Sequence, residues 1–267
     1  MARIFDNIDL KFTKGLQDII TNTGVKRVDF CVGYFNLRGW DLIIDQVDQL
    51  PGDFVEEESQ RNPIHRTCRL LIGMHQPPEE LTRWLYTKEG FEPDAEFVRS
   101  QKLKIARDFR RQLQIGLPSA KDEMTLRRLS QQLKAGKVCV KLYLREYLYA
   151  KLYLAYRPDD NFNKIMALMG SSNLTWAGLR GNGELNAEFS DSDQVRKLAE
   201  WFDARWDDRF CIDITKELIE AIDYSWAGDI TIPPYYIYLK NRLPSERRGA
   251  QRNKGICALS GVSPRII

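Results

Sequence analysis

The residue types best suited to handle a phosphate group fall in one stretch of the chain, between Tyr149 and Glu184. Lys151 stands in an alternating segment, and the turn Gly-Ser-Ser-Asn at residues 170–173 follows an apolar run. A lysine ammonium supplies positive charge, and small polar residues in a turn supply N–H and O–H donors. Because these residues are also ordinary turn formers, the turn is informative only beside the lysine. The spacing predicts a site that binds phosphoryl oxygens.

A strand must position the lysine. The pattern over residues 149–156 predicts a strand, in which side chains two residues apart lie on the same face. Tyr149, Lys151 and Tyr153 would then share one face. The opposite face would carry Ala150, Leu152 and Leu154. We expect the apolar set to enter the core and Lys151 to face a cleft beside Tyr149.

The rest of the chain supplies the elements around this strand. Apolar runs predict strands at residues 28–35, 68–74, 138–144, 164–169 and 184–189. Amphipathic patterns predict helices at residues 38–50, 94–114, 192–206 and 215–226. A further helix should start after Ser119, with a capping box to Asp122, and stop near Gly136. The pattern predicts N-caps at Ser192 and Thr215, and a surface loop over residues 51–63. This alternation predicts an α/β fold: a mixed β-sheet flanked by helices on both faces.

Composition restricts the class of protein. With 267 residues, 43% of them hydrophobic, the chain can bury a sizeable core. No apolar run approaches the roughly 18 residues that a membrane span needs, and the N-terminus lacks a signal-peptide pattern. Five scattered cysteines show no C-x-x-C spacing, so we expect no metal and no cofactor. We expect a cytoplasmic protein without membrane association.

Charge is unevenly distributed along the chain. Residues 99–151 contain 14 Lys or Arg against 4 Asp or Glu, and residues 240–267 contain 7 against 1. Clustered positive charge favours a polyanion such as nucleic acid, because each cation near a phosphate releases condensed counterions. A solvated helix face is the alternative. Four tryptophans are expected in the core rather than in base stacking: Trp176, Trp201, Trp206 and Trp226.

The segments Y-A-K-L-Y-L, G-S-S-N-L-T and G-E-L-N, which begin at residues 149, 170 and 183, resemble the phospholipase D superfamily and above all its nuclease-like branch. Residues 33–40, 69–74, 109–113 and 232–240 resemble the phospholipase D-like domain that precedes superfamily-two helicases. The resemblance covers residues 1–240 as one domain and leaves 241–267 as a basic, flexible tail. It implies a homodimer, because the chain carries one copy of a motif that the family uses in pairs. It also implies a helicase partner.

The resemblance implies a metal-independent phosphodiester reaction in which a histidine attacks phosphorus. Lys151 and Asn173 would bind the phosphate of DNA, and Glu184 would orient the nucleophile. The further candidate substrate-binding residues are Ser171, Ser172 and Lys141. A phospholipid-acting phosphodiesterase and a non-catalytic dimerisation or recruitment module for a helicase are the alternatives.

The nucleophile position, two residues before the lysine, holds Tyr149 instead of histidine. A phenol with a pKa near 10 is ionised in only about one molecule in a thousand at pH 7. Three interpretations stay open: the fold binds the backbone but cleaves poorly, the tyrosine itself attacks, or another residue serves. The two histidines, His65 and His75, lie far away in sequence and are expected at the surface. We favour the first interpretation and expect an impaired enzyme.

Overall fold

A computed structural model of the chain describes residues 3–57, 61–73, 96, 98–104, 107, 119–158, 164–225 and 227. The strands are β1 Ile4–Phe5, β2 Arg27–Val32, β3 Asp53–Val55, β4 Ile64–Arg66, β5 Cys68–Ile72, β6 Val138–Tyr143, β7 Leu152–Tyr156, β8 Ile165–Gly170, β9 Asn186–Phe189 and β10 Cys211–Asp213. The helices are α1 Phe12–Ile20, α2 Leu37–Trp40, α3 Ile44–Gln49, α4 Ala120–Lys134, α5 Ser192–Trp206 and α6 Thr215–Asp223, with a π-helical turn at Ala177–Gly181. Residues 98–104 are also helical.

Eight of these strands form one mixed sheet in the order β1-β9-β8-β7-β2-β5-β6-β10. Strands β2, β5 and β6 are parallel, and β7 pairs antiparallel with β2. Strands β3 and β4 form a separate antiparallel pair. The parallel strands are almost fully buried, which requires cover on both faces.

Helices cover both faces of this sheet. One core joins a face of the sheet to apolar residues of α1, α3, α4 and α6, and the other core joins the opposite face to α5. Both faces of β7 are therefore buried, with Tyr153 in the first core and Leu152 and Leu154 in the second. The expected α/β fold with helices on both faces is confirmed.

Helix α4 follows its sequence signals closely. The Ser119 hydroxyl accepts a hydrogen bond from the Asp122 amide, and the Asp122 carboxylate accepts one from the Ser119 amide, which completes the predicted capping box. Gly136, with φ of +67°, follows the end of the helix in the left-handed conformation that glycine favours. The predicted start and stop of this helix are confirmed.

Several local expectations were wrong. The predicted helix over residues 38–50 is broken into α2 and α3, and the predicted loop over residues 51–63 contains β3. The N-cap of α5 is Asp191, which accepts from two amides of the first turn, and Thr215 instead donates to and accepts from Val140 of β6. The strand predicted over residues 149–156 begins only at Leu152.

A buried ionic network joins β2, β5 and α5. The Arg69 guanidinium donates two hydrogen bonds to the Asp29 carboxylate, at 3.0 and 2.6 Å, and a third to Asp203 at 2.7 Å. Arg27 donates to the same Asp29 carboxylate at 2.5 Å. Burial alone would raise the pKa of Asp29, but the two arginines outweigh it and lower that pKa to about 2. This network ties the central strands to the covering helix.

Among the described residues, no helix is both long and apolar enough to cross a membrane. The predicted tail, residues 241–267, lies outside the described residues, as do His75, Trp226 and most of the helix predicted over residues 94–114.

Candidate functional site

The predicted phosphate-binding segments meet at one edge of the sheet. Parallel strands β2, β5 and β6 all end at this edge, and β7, which is antiparallel to β2, begins there with Leu152 opposite Cys31. Strand β8 also ends there, with Gly170 opposite Asn186 at the start of β9. The lysine, the polar turn and the segment that contains Glu184 therefore lie at neighbouring strand ends, although they are distant in sequence.

The chain reaches β7 by crossing the ends of the parallel strands. The Leu148 amide donates to the Gly73 carbonyl at 3.0 Å, immediately after β5. A Cβ on Gly73 would lie 2.2 Å from Leu148 Cβ, so a glycine is needed for this close crossing. The Cys31 thiol at the end of β2 lies 3.9 Å from the Ala150 carbonyl oxygen. Residues 144–151 are thus held across the sheet edge before the lysine.

Lys151 is half-buried at this edge. Its ammonium donates to the Tyr149 carbonyl at 2.6 Å, and its own carbonyl accepts from the Gly170 amide at 3.1 Å. Partial burial lowers its pKa from the ordinary value, while the nearby charge of Glu184 acts in the opposite direction. No carboxylate of the described residues lies within ion-pair distance of this ammonium. Two of its three N–H donors stay available for a ligand.

Tyr149 precedes the strand and keeps 65% of its surface exposed. Its ring lies 5.9 Å from the Lys151 ammonium and 6.2 Å from the ring of Tyr147. Its bond to the lysine uses the backbone carbonyl, so the local conformation does not depend on the phenol. The side chain at the expected nucleophile position is open to solvent beside the lysine.

The Asn173 amide has a defined orientation. Its side-chain oxygen accepts a hydrogen bond from the Tyr34 backbone amide at 2.9 Å. Since that donor requires an oxygen acceptor, the NH₂ group of Asn173 points away and is free to donate. An isolated parallel bridge between Phe35 and Leu174 holds the two segments together. The Tyr34 amide, just after β2, therefore orients the Asn173 side chain. Sequence reasoning missed this role.

Ser171 and Glu184 contact each other. The Ser171 hydroxyl donates to the Glu184 carboxylate and accepts from the Leu185 amide at 3.0 Å. Ser171 is exposed and Glu184 is half-buried, so both border the open site. The carboxylate is near Lys151 but holds the turn through Ser171 rather than through an ion pair.

Two of the predicted substrate-binding side chains lie elsewhere. Ser172 is 0% exposed, and its amide, hydroxyl and carbonyl are bonded to Asn186 and Tyr153 inside the protein. Lys141 is buried on β6, which two strands separate from β7, and it donates to the Trp206 carbonyl at 3.1 Å with Glu57 at 3.8 Å. Both side chains are buried and bonded within the protein, which leaves neither of them exposed to a ligand.

Residues that sequence reasoning did not single out hold the polar turn and the segment after it. Asn186 and Tyr153 bind the Ser172 backbone. Asn7, with φ of +63°, donates from its side chain to the carbonyls of Gly178 and Asn182, each at 3.0 Å. The only available signal was the position of Asn186 in the G-E-L-N segment. The polar turn is therefore held by β7 and β9, and the N-terminal segment holds residues 178 and 182, which follow the turn.

In the described part of residues 99–151, seven of the twelve Lys or Arg side chains form ion pairs within the protein. On helix α4, Arg128 forms ion pairs with Asp45 and Asp48, and Lys134 forms one with Asp223. Other internal pairs in this region are Lys102–Glu217, Lys121–Asp41, Arg127–Glu123, Lys141–Glu57 and Arg145–Asp208. Much of the local charge excess therefore stabilises helix packing instead of forming an open surface.

The remaining histidine and tryptophan expectations have mixed outcomes. His65 is exposed on β4, in edge-to-face contact with Phe54, as expected for a surface residue. Trp206 is buried, which confirms its expected place in the core. Trp176 is 50% exposed beside the polar turn, so the expectation of core packing was wrong for it.

Comparisons with known proteins place this geometry in a family. A family model described as "Cardiolipin synthase, PLD-like domain" matches residues 69–206, just over half of the chain. Among solved structures, the phospholipase D family member Nuc from Salmonella typhimurium is similar, with 8% identity and a TM-score of 0.40 over 80% of this chain and 97% of that one. NucT from Helicobacter pylori is similar with 11% identity and a TM-score of 0.38 over 80% and 98%.

A third similar structure is TrmBL2, described as an archaeal chromatin protein with a novel mode of DNA binding; identity is 12% and the TM-score 0.32, over 77% of this chain and 51% of that one. Comparison with curated protein sequences finds no significant match. The family match covers β5 to the end of α5 and so includes Lys151, Asn173 and Glu184. The chain belongs to the phospholipase D-like family.

Proposed function

We propose that the chain binds the phosphodiester backbone of DNA at the edge formed by Lys151, Asn173 and Ser171, and that it hydrolyses this backbone poorly. The observation that carries the proposal is the half-buried Lys151 ammonium, which has no acidic partner in the described structure and lies at the same strand ends as the Asn173 amide, which the Tyr34 backbone orients. A cation without a counter-charge favours an anionic ligand. Phosphodiester chemistry is the chemistry of the family.

The weak step is nucleophilic attack. Attack on phosphorus needs an activated nucleophile, and a tyrosine hydroxyl must first lose its proton to a base. Tyr149 is nevertheless exposed beside the lysine, in the place where a histidine side chain would also fit. The hydrogen bond of the Lys151 ammonium does not use the phenol, because its acceptor is the Tyr149 backbone carbonyl.

The proposal includes a homodimer. One chain supplies one lysine, one asparagine and one nucleophile position, whereas two-step phosphoryl transfer also needs an acid for the leaving oxygen. A two-fold axis at this sheet edge would place two copies around one phosphate. Light scattering should then give about 62 kDa, twice the 31.1 kDa of one chain. We also propose residues 1–240 as the phospholipase D-like domain, with residues 241–267 as a tail and a helicase as the partner.

Binding is tested by fluorescence anisotropy with a labelled 20-base-pair duplex in EDTA. Lys151→Met should weaken binding by about ten-fold or more and reduce the salt dependence by about one counterion. Lys137→Met is the matched control, since Lys137 is exposed at the opposite end of the sheet, where its carbonyl pairs with the start of β5. Equal losses in both variants would contradict a phosphate site at Lys151.

Catalysis is tested with Tyr149→His. This variant should cleave DNA in EDTA, and Tyr149→His combined with Lys151→Met should not. If Tyr149→His folds, binds DNA and still leaves it intact, the catalytic part of the proposal is wrong. Phospholipid vesicles serve as a second substrate, and cleavage of lipid but not of DNA by the histidine variant would assign the site to the lipid class.

A further inference from the structure

Exposed aromatic side chains gather around the same sheet edge. The described residues include six aromatic side chains that are largely exposed, and four of them lie on the segments that form the site. They are Tyr34, Tyr147, Tyr149 and Trp176. A scattered exposed aromatic needs no explanation, but a concentration of them at one polar site indicates a ligand with flat apolar faces.

These rings are supported by the backbone around them. Trp176 rests on Gly181, where an added Cβ would lie 2.8 Å from the indole ring. Tyr34 is fixed through its backbone amide to Asn173, and the next residue, Phe35, bridges to Leu174. The rings of Tyr147 and Tyr149 lie 6.2 Å apart with an angle of 35° between their planes. Ordered rings of this kind can stack on a ligand with little loss of conformational entropy.

Positive charge accompanies the rings. Arg38 on α2 and Arg180 in the π-helical turn are both exposed, and neither has an ion-pair partner among the described residues. Both arginines belong to elements that flank the segment of Asn173, because Gly39 of α2 packs directly on the Leu174 carbonyl. The surroundings of the site therefore combine flat apolar faces with cations that carry no internal counter-charge.

We infer that the site takes unpaired nucleotides: its aromatic side chains stack on the bases of a single strand whose phosphate is bound by Lys151 and Asn173. The inference rests on the proposed function, since it assigns the substrate class of the same site. Bases in a duplex are stacked and paired inside it, whereas the bases of a single strand present free faces. Stacking on an aromatic side chain does not require a particular base, so we expect little sequence preference.

The test uses three labelled probes of equal length: oligo-dT, a duplex, and an abasic strand that keeps the phosphates but has no bases. The protein should bind oligo-dT more tightly than the abasic strand. Tyr34→Ala and Trp176→Ala should each weaken oligo-dT binding about 5- to 140-fold and leave the abasic strand unaffected. Since no charge is removed, the salt dependence should not change. Tyr34→Phe and Trp176→Phe, which keep a ring, should retain most of the affinity.

Phe54→Ala is the matched control. Phe54 is 69% exposed on β3. Two residues earlier, the Gly52 amide bonds to the carbonyl of the residue before β2. Tyr34 follows the other end of β2, so Phe54 is far from the site along this strand. This variant should bind all three probes like the unchanged protein. Circular dichroism and thermal unfolding confirm that each variant is folded, which we expect because the substituted rings are at least half exposed.

Three results overturn the inference: equal affinity for oligo-dT and the abasic strand, full oligo-dT binding by the alanine variants, or conversion of a dimer to a monomer by those variants. The last result would assign the rings to contact between two copies of the chain. A failure of the proposed function looks different, because Lys151→Met would then bind all three probes normally. If Lys151→Met loses all three probes while the alanine variants lose none, the phosphate site stands and the stacking inference falls.

Discussion

Acid should selectively weaken the connection between the central strands and α5. The Asp29 carboxylate is fully buried, with Arg69 and Arg27 as its partners, and its folded-state pKa is about 2. This value is below the ordinary 3.8, so the carboxylate stabilises the fold above pH 4, and that stability is lost as the pH falls toward 2. The pKa difference corresponds to about 2 kcal/mol in total, of which about 1 kcal/mol is lost by pH 3.

The perturbation is Asp29→Asn. At pH 7 it removes the carboxylate shared by buried Arg69 and half-buried Arg27, which should cost about 3–5 kcal/mol of the free energy of unfolding even though Arg69 keeps Asp203. Because asparagine does not titrate, the stability difference between the unchanged protein and this variant should shrink by about 1 kcal/mol between pH 7 and pH 3. Urea unfolding followed by circular dichroism at both pH values measures this change, and comparing the two proteins cancels the titration of other carboxylates.

Asp203→Asn is the control on the same arginine. Asp203 also accepts from Arg69, but its side chain is 49% exposed, so its loss should cost less than about 1 kcal/mol. A difference between the unchanged protein and Asp29→Asn that stays constant from pH 7 to pH 3 would refute the assignment of a paired, ionised Asp29. So would equal destabilisation by Asp29→Asn and Asp203→Asn at pH 7.

Three further outcomes follow from the structure. Gly39→Ala should destabilise the fold by about 1–3 kcal/mol and weaken DNA binding, because its Cβ would lie 2.3 Å from the Leu174 carbonyl oxygen; denaturant titration and anisotropy check this. Ser119→Ala removes the capping box with Asp122 and should lower the unfolding free energy by about 0.5–2 kcal/mol, with DNA binding unchanged. Glu184→Gln removes a negative charge beside the lysine and should strengthen DNA binding at low salt, an effect that must fade as salt rises.

Sequence patterns correctly predicted the elements whose signals lie within the element itself. Examples are the alternating and apolar runs of β6 and β8 and the capping signals of α4. The start of β7 was mispredicted for a non-local reason. Its pattern extends back to Tyr149, but a strand lasts only as long as its partner, and β2 ends at Val32 before the chain turns.

For the candidate site, too, sequence patterns predicted local features but not those that depend on the fold. The types and spacing of Lys151 and Asn173 predicted one phosphate site, and the structure brings the strand ends that carry both residues to the same edge of the sheet. The orientation of the Asn173 side-chain amide was not predictable, because it depends on the backbone amide of Tyr34. Any residue except proline could supply that donor. Burial of Ser172 likewise depends on Asn186, on the neighbouring strand. Side-chain chemistry can be inferred from sequence, whereas backbone donors and burial require the fold.

The geometry also bears on the proposed effect of a tyrosine at the nucleophile position. Lys151 is positioned by the Gly170 amide and the Tyr149 carbonyl, and Asn173 by the Tyr34 amide, so both proposed phosphate-binding residues are held by backbone groups. None of these bonds involves the phenol of Tyr149. A substitution of the Tyr149 side chain therefore leaves these hydrogen bonds in place. On the proposed function we expect binding and cleavage to be separable, so that a chain that hydrolyses slowly still binds the phosphate backbone.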